Sequence, residues 1–365
     1  MKIFFRIIFL ANIFAVAALT ASYLAAYVSP AKAWPFAFFG LAYPLLALIN
    51  LLFAGFWILL LKKRFVFSTG ALLLGYAFAA GTWQPGFGNT GENKTVEKLK
   101  VMSYNVRLFD LYNWKTGNAT RDSLLSFIER EQPDILNLQE YYSNDNGFHI
   151  HTDSIKSWLS LPYVNTLYTY HRKKIEHWGI ATFSRFPIVG KGSAMKIKGG
   201  NNACIYTDVR IGLDTIRVYN MHLQSIHFKK EDYDFVSTFE QEEDEGAKIK
   251  GGRRILSRLK QAFIKRASQC DSISLHIKNC RYPKLVCGDF NDTPVSYTYH
   301  RLSEGLLDGF REGGSGFGTS YNGLFPAYRI DYILYSRDIE TSEFKTISVP
   351  WSDHFPITAN LRIVK

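Results

Sequence analysis

A mixed α/β or α+β sandwich carried behind three transmembrane helices is predicted for this chain of 365 residues, and three observations lead there. Residues 1–91 hold long apolar stretches and contain no Asp or Glu. From Leu99 onward, strand-like runs alternate with helical ones, the pattern expected of sheets covered by helices. Residues able to do chemistry recur at the ends of the strand-like runs, where a sheet directs its side chains into a cleft.

The apolar stretches are Ile3 to Val28, Phe36 to Leu61 and Phe65 to Trp83. Each approaches or exceeds the ~20 residues that cross a hydrocarbon core as helix. Lys2 and Arg6 mark the first end as cytoplasmic, and the Lys62-Lys63-Arg64 cluster belongs on the same side. The chain after Trp83 then lies outside the cytoplasm, which in a bacterial-type cell means the periplasm. Ala31-Lys32-Ala33 fits a signal-peptide cleavage site, but the apolar stretch before it is long for such a peptide. Residues 1–83 are therefore read as a lipid-bilayer anchor, residues 84–98 as a linker broken by Pro85, Gly86, Gly88 and Gly91, and residues 99–365 as the soluble domain.

The formal charge of +11 is weighted toward the anchor, which carries six basic residues and leaves 37 basic against 32 acidic beyond it. That modest excess suits an anionic substrate without requiring nucleic acid. Helices are expected at Arg121–Glu131, stopped by Pro133, and at Arg253–Lys278, where Ile255, Leu259, Phe263 and Ala267 recur every four residues. Between Phe228 and Gly252 lies an acid-rich insertion, read as solvated surface with a lid as the functional alternative. Gly313 to Gly318 reads as a flexible loop at the cleft edge. The four cysteines show no metal-binding spacing, and the helix carrying Cys270 separates it too far from Cys280 for a disulfide.

The stretch Val286-Cys287-Gly288-Asp289-Phe290-Asn291-Asp292-Thr293-Pro294 organises the domain. A buried apolar strand reaches a glycine that lets the backbone turn, then presents Asp289 and Asn291 two residues apart. Alone, this is an Asx-rich turn closed by Pro294; its significance comes from similar strand ends elsewhere. Asn105 ends Val101–Val106, Glu140 ends the run after Pro133, and His222 follows the apolar run Ile216–Tyr219. Asp331 stands in a strand, where a charge is costly unless paired, and Asp353 and His354 sit side by side near the C-terminus.

In order, the motifs Ser-Tyr-Asn-Val-Arg, Leu-Gln-Glu, Gly-Ile-Ala-Thr-Phe-Ser-Arg-Phe-Pro, Asn-Met-His-Leu, Gly-Asp-Phe-Asn-Asp-Thr-Pro, Arg-Ile-Asp-Tyr-Ile and Ser-Asp-His resemble the endonuclease/exonuclease/phosphatase superfamily. The resemblance spans Leu99 to the C-terminus. It implies a four-layer αββα sandwich, with two mainly antiparallel sheets face to face and a cleft at one edge. It also implies that Glu140 is the principal ligand of Mg²⁺ (Mn²⁺ as an alternative), with Asn105 beside it and Asp353 joining through water. Hard oxygen ligands with open positions are what that ion prefers. Asp289 is implied to accept a proton from the attacking water, and Asn291 to hold the phosphate or that carboxylate. His354 is implied to bond a phosphoryl oxygen, with Asp331 fixing its ring. His222 matches a second histidine of the deoxyribonuclease-like and sphingomyelinase-like branches, with Glu176 as its candidate carboxylate partner.

The implied reaction is hydrolysis of a phosphoester by in-line attack of water. No Gly-x-Ser-x-Gly, Walker loop or dinucleotide fingerprint supports another chemistry. Arg107, Tyr141, Arg172, Lys173, Lys174 and Trp178 are candidates for holding a nucleic-acid substrate. An anchor close to the bilayer makes phospholipid head groups, including inositol phosphates, the alternative substrates. A catalytically inactive module that binds a phosphorylated ligand is the alternative outside enzymology, but it does not need both a water-activating acid and an oriented histidine.

Overall fold

A computed structural model describes residues 2–86, 99–195, 200–226, 228–239, 244–323 and 327–364. Most of the expected linker, and part of the acid-rich insertion, lie outside the described residues. The chain forms two compact units. One comprises Met1–Thr82, Gln224–Cys270 and Asp292–Arg301; the other comprises Trp83–Leu223, Asp271–Asn291 and Leu302–Lys365.

The first unit begins with six helices: α1 (Lys2–Leu24), α2 (Pro30–Ala33), α3 (Pro35–Leu41), α4 (Tyr43–Leu59), α5 (Phe65–Leu74) and α6 (Tyr76–Thr82). Of these, α1 is long and apolar enough to cross a membrane by itself. The second and third expected spans are broken: α3 meets α4 at 66°, and α5 meets α6 at 65°, so the count reaches three only if each bent pair is one span. Pro44 explains the first break, because its ring denies the start of α4 an N–H and cannot continue the preceding helix. Gly75 lies at the second, where a Cβ would stand 2.2 Å from the Tyr23 hydroxyl oxygen, and that hydroxyl donates to the Ala71 carbonyl at 2.9 Å. Polar side chains tie α1, α4 and α5 together, as expected where apolar surroundings offer no alternative partner. Trp57 Nε1 donates to Asn12 Oδ1 at 2.9 Å, Asn12 Nδ2 to Ser68 Oγ at 2.6 Å, and Ser68 Oγ to Asn50 Oδ1 at 3.1 Å.

The second unit opens with β1 (Gln84–Pro85), β2 (Leu99–Asn105), α7 (Asn118–Glu131), β3 (Ile135–Asn144) and α8 (Thr152–Trp158). There follow β4 (Tyr163–Arg172), β5 (Glu176–Ser184), β6 (Ile188–Ser193), β7 (Ala203–Ile211) and β8 (Asp214–His222). Helices α9 (Lys230–Thr238) and α10 (Glu245–Lys278), which belong to the first unit as far as Cys270, precede β9 (Lys284–Asp289). After α11 (Tyr297–Leu302), which belongs to the first unit as far as Arg301, the second unit continues with β10 (Leu307–Asp308), α12 (Gly309–Gly313), β11 (Ser315–Gly316), β12 (Asp331–Tyr335), β13 (Ile339–Thr346) and β14 (Ile357–Ile363).

Among the described residues two six-stranded sheets result, ordered β13-β14-β2-β3-β5-β4 and β10-β12-β9-β8-β7-β6. Both are mixed: β2–β3 and β8–β9 are parallel, and the other pairs antiparallel. Alternation along β2 explains the layering. Leu99 and Val101 join Ile216, Val218, Leu285, Cys287 and Ile333 between the sheets, while Met102 and Tyr104 face the other way, onto Leu124, Leu125 and Ile128 of α7 and Ile155 of α8. On the far sheet, the Tyr219 hydroxyl meets His276 Nδ1 of α10 at 3.0 Å. The unit is thus an α/β sandwich.

Other expectations change in detail. The acid-rich insertion forms α9, whose buried Asp232 is gripped by Arg254 at 2.6 Å and Arg258 at 2.8 Å on α10. The glycine-rich loop at Gly313–Gly318 is ordered in part as β11, which pairs with β1. All four cysteines are buried and free.

Gly288 sets how closely β9 approaches β8. Its φ is +133°, and a Cβ there would lie 2.1 Å from the Met221 carbonyl oxygen. Gly288→Ala is therefore expected to destabilise the full chain in detergent by more than about 2 kcal/mol, read as a lowered thermal midpoint. An unchanged midpoint would show that this close approach is not required.

Candidate active site

The parallel register of β8 and β9 places His222 opposite Asp289 at the ends of adjacent strands. Asp289 is 1% exposed, so its carboxylate must find partners inside the protein. The Asn291 backbone N–H donates to Oδ1 at 2.8 Å; Asn291 Nδ2 and Asn105 Nδ2 each donate to Oδ2 at 3.1 Å. Asn105 comes from the facing sheet, on the inter-sheet face it shares with Val101. Asn291 holds φ at +53°, a left-handed conformation that asparagine tolerates, and its Nδ2 also reaches the Leu223 carbonyl at 3.1 Å. Two imidazoles approach the same Oδ2: His222 Nε2 and His354 Nε2, each at 3.7 Å. Burial pushes the Asp289 carboxyl up to about 6; Asp331 adds to the rise, while His354, His222 and the Asn291 N–H hold it back.

Antiparallel pairing of β12 with β9 sets Asp331 opposite Asp289. Asp331 Oδ2 binds His354 Nδ1 at 2.9 Å, and its backbone N–H donates to Ser320 Oγ at 3.0 Å. Its other oxygen, Oδ1, has no hydrogen-bond partner among the described residues. The Tyr321 ring packs edge-on against His354, with ring centres 5.4 Å apart. Burial pulls the His354 pKa down, but Asp331 and Asp289 outweigh it, and the ring titrates well above its ordinary value. An imidazolium between two carboxylates is the consequence.

Glu140 arrives by a different route. The β3–β5 register slips between Leu138 and Tyr141, and at this bulge Glu140 takes a left-handed φ of +47°. A bulge re-aims one side chain out of the ladder. The Glu140 side chain, 33% exposed, points its carboxylate to within 3.7 Å of His222 Nε2. That nitrogen is buried without a hydrogen-bond partner among the described residues, between the Glu140 and Asp289 oxygens. Asn105 Oδ1 accepts from the Arg107 backbone at 3.1 Å, and its carbonyl accepts from Ser352 Oγ at 2.8 Å.

Two donor sets could hold a metal. Glu140 and Asn105 offer hard oxygens, and Asp289, Asp331 and His354 offer ligand atoms within 4.8 Å of one another. In the second group the His354 imidazolium already offsets one of the two carboxylate charges, with one ring nitrogen engaged by Asp331. Among the described residues no Lys or Arg pairs with Glu140, and its carboxylate faces the His222 nitrogen that lacks a hydrogen-bond partner there. The partly exposed Glu140 carboxylate and the Asn105 side-chain oxygen offer the hard oxygens that a divalent cation prefers.

Contacts of 3.7 Å or less connect Asn105, Glu140, His222, Asp289, Asn291, Asp331 and His354. Asp353 is engaged elsewhere, with its carboxylate 3.4 Å from Arg107 Nε and 3.3 Å from Ser352 Oγ. Glu176, expected beside His222, instead pairs with Arg172 at 2.7 Å and accepts from the Tyr142 hydroxyl at 3.0 Å, because its place at the start of β5 points it to that hairpin. Tyr141, expected at a substrate surface, is fully buried in the core under α7 and α8. Arg107 begins four successive residues with positive φ, Arg107 to Asp110, and its guanidinium stacks 4.4 Å over Trp114. Exposed Trp114 and Tyr112 carried no motif, and nothing in the sequence marked this left-handed turn. Arg172 lies over Trp178 in the same manner, at 5.6 Å.

A model of the endonuclease/exonuclease/phosphatase family matches residues 102–354. A separate domain of unknown function matches residues 5–82. No curated protein matches the chain. Among solved structures, the human nocturnin catalytic domain aligns with a TM-score of 0.51 at 18% identity, covering 73% of this chain and 95% of that one. An endonuclease/exonuclease/phosphatase protein of Beutenbergia cavernae aligns with a TM-score of 0.50 at 16% identity, covering 73% and 72%. At such identities these two show a shared fold; the family match spans most of the chain and includes every residue of the cluster around Asp289. The chain belongs to the endonuclease/exonuclease/phosphatase family, whose members are phosphoester hydrolases.

Proposed function

We propose that the protein is a membrane-anchored, Mg²⁺-dependent phosphodiesterase of nuclease type whose catalytic domain faces the periplasm. The observation that carries the reading is the buried Asp289 carboxylate, held by Asn105 and Asn291 between two imidazoles and next to Glu140. Glu140 and Asn105 would hold Mg²⁺, with Mn²⁺ as an alternative and Asp353 joining through water. When bound, the cation supplies charge neutralisation at the phosphoryl oxygens. Asp289, with a pKa of about 6, is ionised at neutral pH yet basic enough to take a proton from the attacking water. Asn291 and Asn105 fix its orientation through their amide N–H groups. His354 donates from Nε2 to a phosphoryl oxygen, while Asp331 fixes the ring through Nδ1. His222 Nε2, without a hydrogen-bond partner among the described residues, is the second donor. Water attacks in line, and no covalent enzyme intermediate is required.

The nuclease reading draws support from the guanidinium–aromatic pairs Arg107–Trp114 and Arg172–Trp178, with Lys173 and Lys174 exposed beside the second. Aromatic faces stack on bases, and cations follow a phosphate backbone. A second reading, hydrolysis of phospholipid or inositol-phosphate head groups, is favoured by α1, which is long and apolar enough to seat the chain in a bilayer. The basic residues Lys2, Arg6 and Lys62–Arg64 support the inward orientation of their ends and the periplasmic placement of the domain. Bent pairs counted as single spans give three crossings.

Full-length protein in detergent is expected to hydrolyse bis(4-nitrophenyl) phosphate with Mg²⁺ and to lose turnover in EDTA. Asp289→Asn and His354→Ala should each lower kcat by about 10²–10⁴-fold. Parallel assays on single-stranded DNA, duplex DNA, RNA, sphingomyelin and phosphoinositides assign the substrate class. Absence of turnover on all of them would favour a phosphate-binding module. Asp289 also predicts a pH-dependent stability. Its pKa is raised in the folded state, so the stability of its protonated form is fully present below about 4 and is lost as pH rises through about 6. In EDTA, Asp289→Asn should therefore raise the thermal midpoint at pH 8 and lose that advantage at pH 4. A midpoint difference independent of pH would refute the raised pKa.

A further inference from the structure

The chain passes between its two units just after each of two candidate catalytic strand ends. Gln224, two residues beyond His222, and Asp292, three beyond Asp289, are the first residues of segments grouped with the apolar helices. Both are held by one side chain. Arg266, on α10 and only 1% exposed, donates from Nη1 to the Gln224 carbonyl at 2.8 Å and from Nε to Asp292 Oδ2 at 3.1 Å. Thr298 Oγ1 donates to the same Oδ2 at 2.9 Å, and Gln269 accepts from the Gln224 backbone at 2.9 Å. A buried guanidinium offers several donors in a fixed fork, so it can hold a carbonyl and a carboxylate together, which a single ammonium does poorly.

The segment Asp292–Arg301 is also seated on the N-terminal helices. Val295, 1% exposed, shares a cluster with Leu19, Tyr43 and Ala71. A Cβ on Gly40 would lie 2.5 Å from the Val295 carbonyl oxygen and 2.6 Å from the Ala25 Cβ. The His300 ring packs against Tyr27 with ring centres 4.6 Å apart. Within the catalytic unit, the two strand ends are tied to each other: the Leu223 backbone donates to the Asp289 carbonyl at 3.0 Å, and Asn291 Nδ2 donates to the Leu223 carbonyl.

We propose that Arg266, with the Gly40–Val295 seat, positions the hydrolytic residues by clamping both chain crossings that leave His222 and Asp289. The N-terminal helices, matched to a domain of unknown function, then act as a scaffold for the active site as well as an anchor. The proposal rests on Asp289 and His222 acting as above. Asn105 and Glu140 lie on β2 and β3, outside the clamp.

Arg266→Lys keeps the charge and loses the fork; Gly40→Val keeps Arg266 and disturbs the seat. Both variants, and Leu48→Ala on an exposed helix face as control, are to be compared with wild type as full chains in detergent. Both are expected to lower kcat on bis(4-nitrophenyl) phosphate at least tenfold, with KM and the Mg²⁺ concentration for half-activity unchanged. Amide hydrogen exchange at 223–225 and 289–296 should accelerate at least tenfold in both, and the control should match wild type. Unchanged exchange and unchanged kcat in Arg266→Lys and Gly40→Val would overturn the clamp, as would parallel rises in KM and in the Mg²⁺ requirement. If wild type turns over no substrate, the hydrolase reading fails, and exchange alone then decides whether Arg266 and the seat hold the two crossings.

Discussion

A carboxylate taken out of water is the constraint around which the site is built. Isolating an ionised aspartate costs several kcal/mol, and Asp289 is nearly inaccessible. It is tolerated because three N–H groups and two imidazoles converge on it from β2, β8, the turn after β9 and the loop before β14. Each charge-assisted hydrogen bond returns roughly 1.5–3 kcal/mol, enough to keep the group ionisable near neutrality without restoring its ordinary acidity. Partners from both sheets are required, so the sandwich must close before the carboxylate is satisfied.

The same geometry separates two kinds of work among the acids. Asp289 and Asp331 share His354, whose imidazolium offsets one of their two charges. Glu140, turned outward by a bulge and a left-handed φ, keeps its carboxylate partly exposed. Backbone strain of this kind costs about 1–3 kcal/mol and persists where surrounding structure enforces it. Here it sets a hard oxygen donor beside the group proposed to handle the proton without merging the two.

Much of this was legible in the chain because strand ends are local features. The apolar run before Gly288 and the run before His222 each end where their patterns say they should, and period two places Asn105 on the inter-sheet face; the run after Pro133 instead continues through the bulge at Glu140 to Asn144. Less legible were features set by distant contacts. The apolar stretch Phe36–Leu61 carries no charge, so composition concealed the bend that Pro44 introduces. Glu176 resembled a partner for His222 in sequence, but its hairpin places it on Arg172. Arg266 sits in an ordinary helical pattern, and its hold on Gln224 and Asp292 depends on segments far apart in the chain. Trp114 became notable only once Arg107 lay across it.

Division of labour between Glu140 and the Asp289–His354–Asp331 group can be read without turnover. Mn²⁺ binding to the full-length protein, followed by electron paramagnetic resonance, is compared for wild type, Glu140→Gln and Asp331→Asn. Ligation by Glu140 predicts that Glu140→Gln weakens Mn²⁺ affinity at least about tenfold while Asp331→Asn stays near wild type. Loss of binding in Asp331→Asn with Glu140→Gln unaffected would contradict it and place the cation among the residues assigned here to the proton.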